Sequence, residues 1–192
     1  MEMMISISIF GIMTGLLMAS FRTGRFADEL RIGVQAAATS VREVQTLALS
    51  GSTVPICRGG SRELMLCPTG AAGCPGGTCT AEVPLGFGVR FGTTSGENRS
   101  AVVFADVNGN RALDSGEEIR SANFGPARQV IVSTLAPVDG SRLEVVFEPP
   151  RPTVYLNGGT ATTSAVITLR HGITTQTKAV RLNRISGQVS AD

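Results

Sequence analysis

The residues best spaced to do chemistry in this 192-residue chain lie in DVNGNRALDSGEE, the stretch that begins at Asp106. Asp106, Asn108, Asn110, Asp114 and Glu117 fall at places 1, 3, 5, 9 and 12 of a twelve-residue loop, and the carbonyl of Ala112 falls at place 7. Such spacing turns alternate oxygens inward, and calcium takes six to eight hard oxygen ligands. Arg111 stands where the pattern takes Gly for a turn at positive φ. The stretch is a candidate Ca2+ site, and the competing reading is a plain loop that follows a strand and turns at Asn108-Gly109.

The cysteines are the second candidates. Cys57, Cys67, Cys74 and Cys79 sit in a segment rich in Gly, Pro and Thr, without a C-x-x-C knuckle, and this argues against zinc. Their even number favours disulfides, with three connectivities open. Cys57–Cys67 with Cys74–Cys79 is the expected pairing, because each bond closes a short local loop. The single histidine, His171, sits in RHGIT and is read as an exposed turn residue, not a triad base. No nucleophile elbow, P-loop or zincin motif appears, and the sequence does not read as an enzyme.

Composition supports a packed structure: 42% of residues are hydrophobic and 17% charged, with aromatics at only 5%. Residues 151–192 hold five basic side chains (Arg151, Arg170, Lys178, Arg181, Arg184) against Asp192. This bias could touch an anionic polymer, but a solvated strand face is the preferred reading, and nucleic acid is not expected as a partner.

The elements that position these residues begin with a helix. Residues 3–19 contain no charge, Pro, Asn or Gln, and as a helix they span about 25 Å, the lower limit for crossing a bilayer. Glu2 and the lack of Lys or Arg beside it argue against a secretory signal peptide. Gly11 and Gly15 make a small-x-x-x-small pair. Phe26, Leu30, Gly33, Val34, Ala37, Val41, Val44 and Ala48 continue at helical spacing, so one helix is predicted to run to Ser50, with Gly51 as its C-cap. Beyond residue 82, strands are predicted at 86–91, 101–105, 129–135, 142–147, 153–156, 165–170, 177–182 and 185–189.

The opening run EMMISISIFGIMTGLLMASF, followed by DELR and an amphipathic helix, resembles the head of a type IV pilin or type II secretion pseudopilin. Residues 179–190 resemble the closing strands of the minor H-type, FimT-like branch. FimT-like DNA-binding pilins carry a G-R-x-R-type motif in the tail, where this chain has Gly187-Gln188-Val189-Ser190, which argues against DNA uptake. The resemblance implies a leader upstream of Met1, cleavage by a prepilin peptidase with N-methylation, and Glu2 registering one subunit against the next. It also implies a single pass of the bacterial inner membrane with the head outside the cytoplasm, and later an extracellular or periplasmic filament of pilin subunits.

The expected fold is therefore α+β, with a long helix, apolar in its first half, packed on an antiparallel two-sheet β-rich head. The expected division is a transmembrane and assembly helix at 1–50, a cysteine-bearing loop at 51–82 and a head at 83–192. The expected function is a structural subunit, a minor pilin or pseudopilin. The alternative is a binding subunit that contacts DNA or a surface through its basic C-terminal strands.

Overall fold

The computed structural model describes residues 2–125, 129–150 and 153–192, with side chains in the first part of the chain described at 4, 7–16, 18 and from 24 onward. Helix α1 covers Glu2–Ser50. It ends because Gly51 takes φ +58°. The Gly51 N–H donates to the Ala48 carbonyl and the Ser52 N–H to the Leu47 carbonyl, which satisfies carbonyls that have no partner further along the helix.

Eleven strands follow among the described residues. The first sheet is a hairpin of β1 (Val54–Arg58) and β2 (Thr78–Glu82). The second has five strands: β3 (Gly86–Gly92), β4 (Ser100–Asp106), β5 (Glu118–Asn123), β7 (Arg142–Glu148) and β8 (Thr153–Leu156), in the order β5-β4-β3-β7-β8. The third is β11-β10-β9-β6, built from β6 (Val130–Ala136), β9 (Ser164–His171), β10 (Thr177–Asn183) and β11 (Val189–Ala191). All pairings are antiparallel.

Alternation sets the faces. Phe87, Val89 and Phe91 of β3 point into the core beside Ala101, Val103 and Ala105 of β4. On the opposite face Phe104 lies over Gly88, where an added Cβ would come within 2.2 Å of the ring. Leu30, Val34, Ala37, Val41, Val44 and Ala48 of α1 complete the same core, along with Ile167, Leu169, Val180 and Leu182 of the third sheet. Gly33 permits the approach: a Cβ there would meet the Phe124 carbonyl at 2.7 Å and a Val130 methyl at 2.8 Å.

The expected fold class is corrected. The chain is mostly β, with three antiparallel sheets instead of two. Of the long helix, only residues 30–48 supply buried core side chains, and the described large apolar side chains between Met4 and Met18 are exposed. The additional sheet, β1–β2, arises because the cysteine segment folds as its own hairpin, cross-braced by disulfides.

The membrane placement is corrected as well. Among the described residues no helix is long and apolar enough to cross a membrane, against the expected single-pass anchor. The charge-free run was already at the lower limit of length, and Ser6, Ser8, Gly11, Thr14 and Gly15 dilute it.

Candidate functional site

Two regions carry features that ordinary packing does not consume. The first is the front of α1. Met4, Ile7, Ile9, Phe10, Ile12, Met13, Leu16 and Met18 are all exposed, Phe10 at 75% and Met4 at 79%. The hydroxyls among them turn inward: Ser8 Oγ donates to the Met4 carbonyl and Thr14 Oγ1 to the Phe10 carbonyl, each at 2.8 Å. Their polarity is spent on the helix itself, so the surface offered is apolar on several sides. An added Cβ at Gly11 or Gly15 would meet nothing within 4 Å. Glu2 lies within α1, but its side chain is outside the described residues.

The second region is the 106–117 loop, which joins β4 to β5 across the outer face of the five-stranded sheet. Asp106 and Glu117 are buried at 1% exposure each. Asp106 Oδ1 accepts from Gly109 N–H at 2.7 Å and Oδ2 from Arg111 N–H at 2.9 Å. Glu117 Oε1 accepts from Val107 N–H and Oε2 from Asp114 N–H. Burial pushes both carboxyls above their usual range, against the pull of these N–H donors, and the Asp106 charge adds to the rise at Glu117. Asn108 Oδ1 accepts from Asn110 N–H, and Asn110 Oδ1 from Ala112 N–H. Both amide nitrogens donate to Asp114 Oδ2, at 2.7 and 2.6 Å.

The structure thus joins Asp106, Asn108, Asn110, Asp114 and Glu117 in one loop network, with Ala112 tied in through its N–H. It does not bring the three carboxylates to a point. Among the described residues, the only group of three or more His, Cys, Asp or Glu donor atoms within 4.8 Å of one another is Cys57, Cys67 and Cys74. Arg111 adopts φ +64°, the left-handed turn that place 6 demands.

Sequence reasoning missed how the loop is fastened down. The Arg111 guanidinium bonds Glu148 Oε1 at 3.2 Å and lies 3.7 Å from the centre of the Tyr155 ring. Arg90 bonds both Glu144 and the Leu113 carbonyl, each at 2.6 Å. These partners come from distant strands, so no local spacing announces them. A cleft of about 390 Å3 beside the loop, lined by Arg90, Asp114, Arg142 and Asn157 among others, has its arginines already engaged: Arg90 with Glu144 and Arg142 with Glu97.

Two further expectations change. The disulfides are Cys57–Cys74 and Cys67–Cys79, not the two short local loops, because the hairpin and the chain crossing beside it bring distant cysteines together. His171 is not an exposed turn residue: it is fully buried at the end of β9. Its Nε2 lies 3.3 Å from Glu29 Oε2, its Nδ1 accepts from the Ile173 and Thr174 N–H groups, and Phe26 packs on its ring. It fastens α1 to the third sheet.

Two of the basic C-terminal side chains are engaged too. Arg181 pairs with Asp192, and Arg184 donates to the Thr162 carbonyl; Arg151 lies outside the described residues. No family model, curated protein or solved structure matches this chain.

Proposed function

We propose that this protein is a structural subunit of a filament of the type IV pilus or type II secretion pseudopilus kind, joined to copies of itself through the front of α1. One observation carries the reading: eight large apolar side chains at the front of a single helix stay exposed although the head beside them has a complete core. A contiguous apolar surface of this kind marks an interaction site. A second copy is the occupant that fits, because the same uncharged surface is self-complementary and the open Gly11 and Gly15 positions let helix axes come close. Sedimentation velocity and electron microscopy of the full chain test this. Large assemblies are expected for the native chain, and monomers for the double variant Phe10→Glu with Met13→Glu. Unchanged assembly of that variant overturns the reading.

Calcium in the 106–117 loop belongs to the same proposal, as a brace for the head. Its support is that Asp106 and Glu117 are buried carboxylates held by backbone N–H groups, while the Arg111 guanidinium turns to Glu148. Asp106, Asn108, Asn110, Asp114, Glu117 and the Ala112 carbonyl would supply the oxygens. The Asn108 and Asn110 amides would have to present oxygen where they now present N–H. A higher melting temperature in Ca2+ than in chelator is expected for the native chain, and no such difference for Asp106→Ala. Equal melting of the native chain in both buffers contradicts it.

A further inference from the structure

The two disulfides lie side by side. The Sγ atoms of Cys57, Cys67 and Cys74 lie within 4.8 Å of one another, and the fourth sulfur, Cys79, is bonded to Cys67. Three of these residues are buried, whereas Cys79 is only half-buried on β2. Cys79 also stands directly opposite Cys57 in the β1–β2 register. Opposed residues of an antiparallel pair have Cα atoms about 4.5–5.5 Å apart, inside the range that a disulfide spans. Gly73, just before Cys74, brings that segment against Cys67: a Cβ on Gly73 would lie 3.5 Å from the Cys67 Cα. A second connectivity, Cys57–Cys79 with Cys67–Cys74, is therefore within reach of the same fold.

We propose that this cluster is a thiol-exchange site at which a small thiol such as glutathione, entering at Cys79, converts one disulfide pairing into the other. The external thiolate attacks Cys79 Sγ. A mixed disulfide forms there, the Cys67–Cys79 bond breaks, and Cys67 leaves as a thiolate. That thiolate attacks the neighbouring Cys74 Sγ, forms Cys67–Cys74 and releases Cys57. The Cys57 thiolate, facing Cys79 across the hairpin, attacks Cys79 Sγ and expels the external thiol unchanged. Two disulfides are present before and after, so no net oxidant or reductant is consumed and the thiol acts as a catalyst. The consequence is a hairpin braced either to its flanking loop, as in this structure, or directly across its two strands.

The test is peptide mapping without reduction, with proteolysis in acid to stop exchange, after incubation of the full chain with glutathione. The expected result is growth of peptides linked through Cys57–Cys79 and Cys67–Cys74 at the expense of the starting pair. Recovery of only the starting pairing and reduced chain overturns the proposal, and so does conversion to Cys57–Cys67 with Cys74–Cys79. A variant gives a second reading without added thiol. Cys57→Ser leaves Cys74 free beside the Cys67–Cys79 bond, and internal attack should move the free thiol to half-buried Cys79. Alkylation is then expected at Cys79; alkylation confined to Cys74 contradicts the exchange route. Mapping of the native chain decides the matter if that variant does not fold.

Discussion

The front and the second half of α1 are one unbroken helix of similar apolar content, yet they live under opposite conditions. From residue 30 onward, Leu30, Val34, Ala37, Val41, Val44 and Ala48 are buried between two sheets, and Glu43 pairs with Arg120 on β5. Before residue 19 the described large apolar side chains face outward, with nothing among the described residues to cover them. Hydrophobicity alone does not decide burial; the availability of a partner surface does. The second half finds its partner within the chain, and the front is left to find one elsewhere.

The sharpest way to break this contrast is to make the same cut in both regions. Phe147 is fully buried in the core, and Phe10 is 75% exposed. Phe147→Ala is expected to cost about 3–5 kcal/mol in urea unfolding. Phe10→Ala should leave the unfolding of monomeric protein close to unchanged while weakening assembly. A comparable loss of head stability from both would mean that the front belongs to the same folding unit.

Glycine offers a finer comparison. Gly33→Ala drives a methyl into the Phe124 carbonyl and Val130, and a loss of about 1–3 kcal/mol is expected. Gly15→Ala meets open space and should leave the head's melting temperature where it was. Calorimetry of the two variants side by side checks the difference.

The smallest effect concerns the cysteine hairpin. The Arg58 guanidinium, with help from the Thr80 hydroxyl, holds the Glu82 carboxyl down at about 2 from an ordinary 4.5. A carboxyl lowered by folding stabilises fully above its unfolded value, and that contribution is lost as pH falls through its folded value. The stability difference between native chain and Glu82→Gln should therefore be constant above about pH 4.5 and shrink toward about pH 2. Because the pair is exposed, a modest effect is expected. A difference that grows on acidification would reverse the assignment.

Much of the strand pattern was legible because alternation of large apolar residues is a local signal: β3, β7, β9 and β10 fall where Phe87, Val145, Ile167 and Val180 recur at every second place. β5 was not, since Glu118–Asn123 offers one large apolar residue, Ile119, and that one is exposed. It is a strand because β4 supplies its hydrogen bonds. β1 and β2 are not legible as strands, because their Gly- and Pro-rich surroundings hide short strands that disulfides pin together. The predicted strand at 185–189 fails because Ile185 points outward and Asn183 Oδ1 captures the Ile185 and Ser186 N–H groups in a turn. At the 106–117 loop the spacing identified the residues that share a network. It carried no information on Arg111, Glu148 and Tyr155, which meet only after three strands are placed.

The central claim is that the front of α1 packs against the same segment of another copy. It is tested most directly with a nitroxide at Ser8→Cys, compared with one at Thr163→Cys on the head, in full-length protein at assembling concentration. Packed helix axes lie about 8–10 Å apart, so strong dipolar broadening is expected at position 8, relieved by dilution with unlabelled chain, and none is expected at position 163. A narrow, dilution-insensitive spectrum at position 8 in assembled protein would contradict the account.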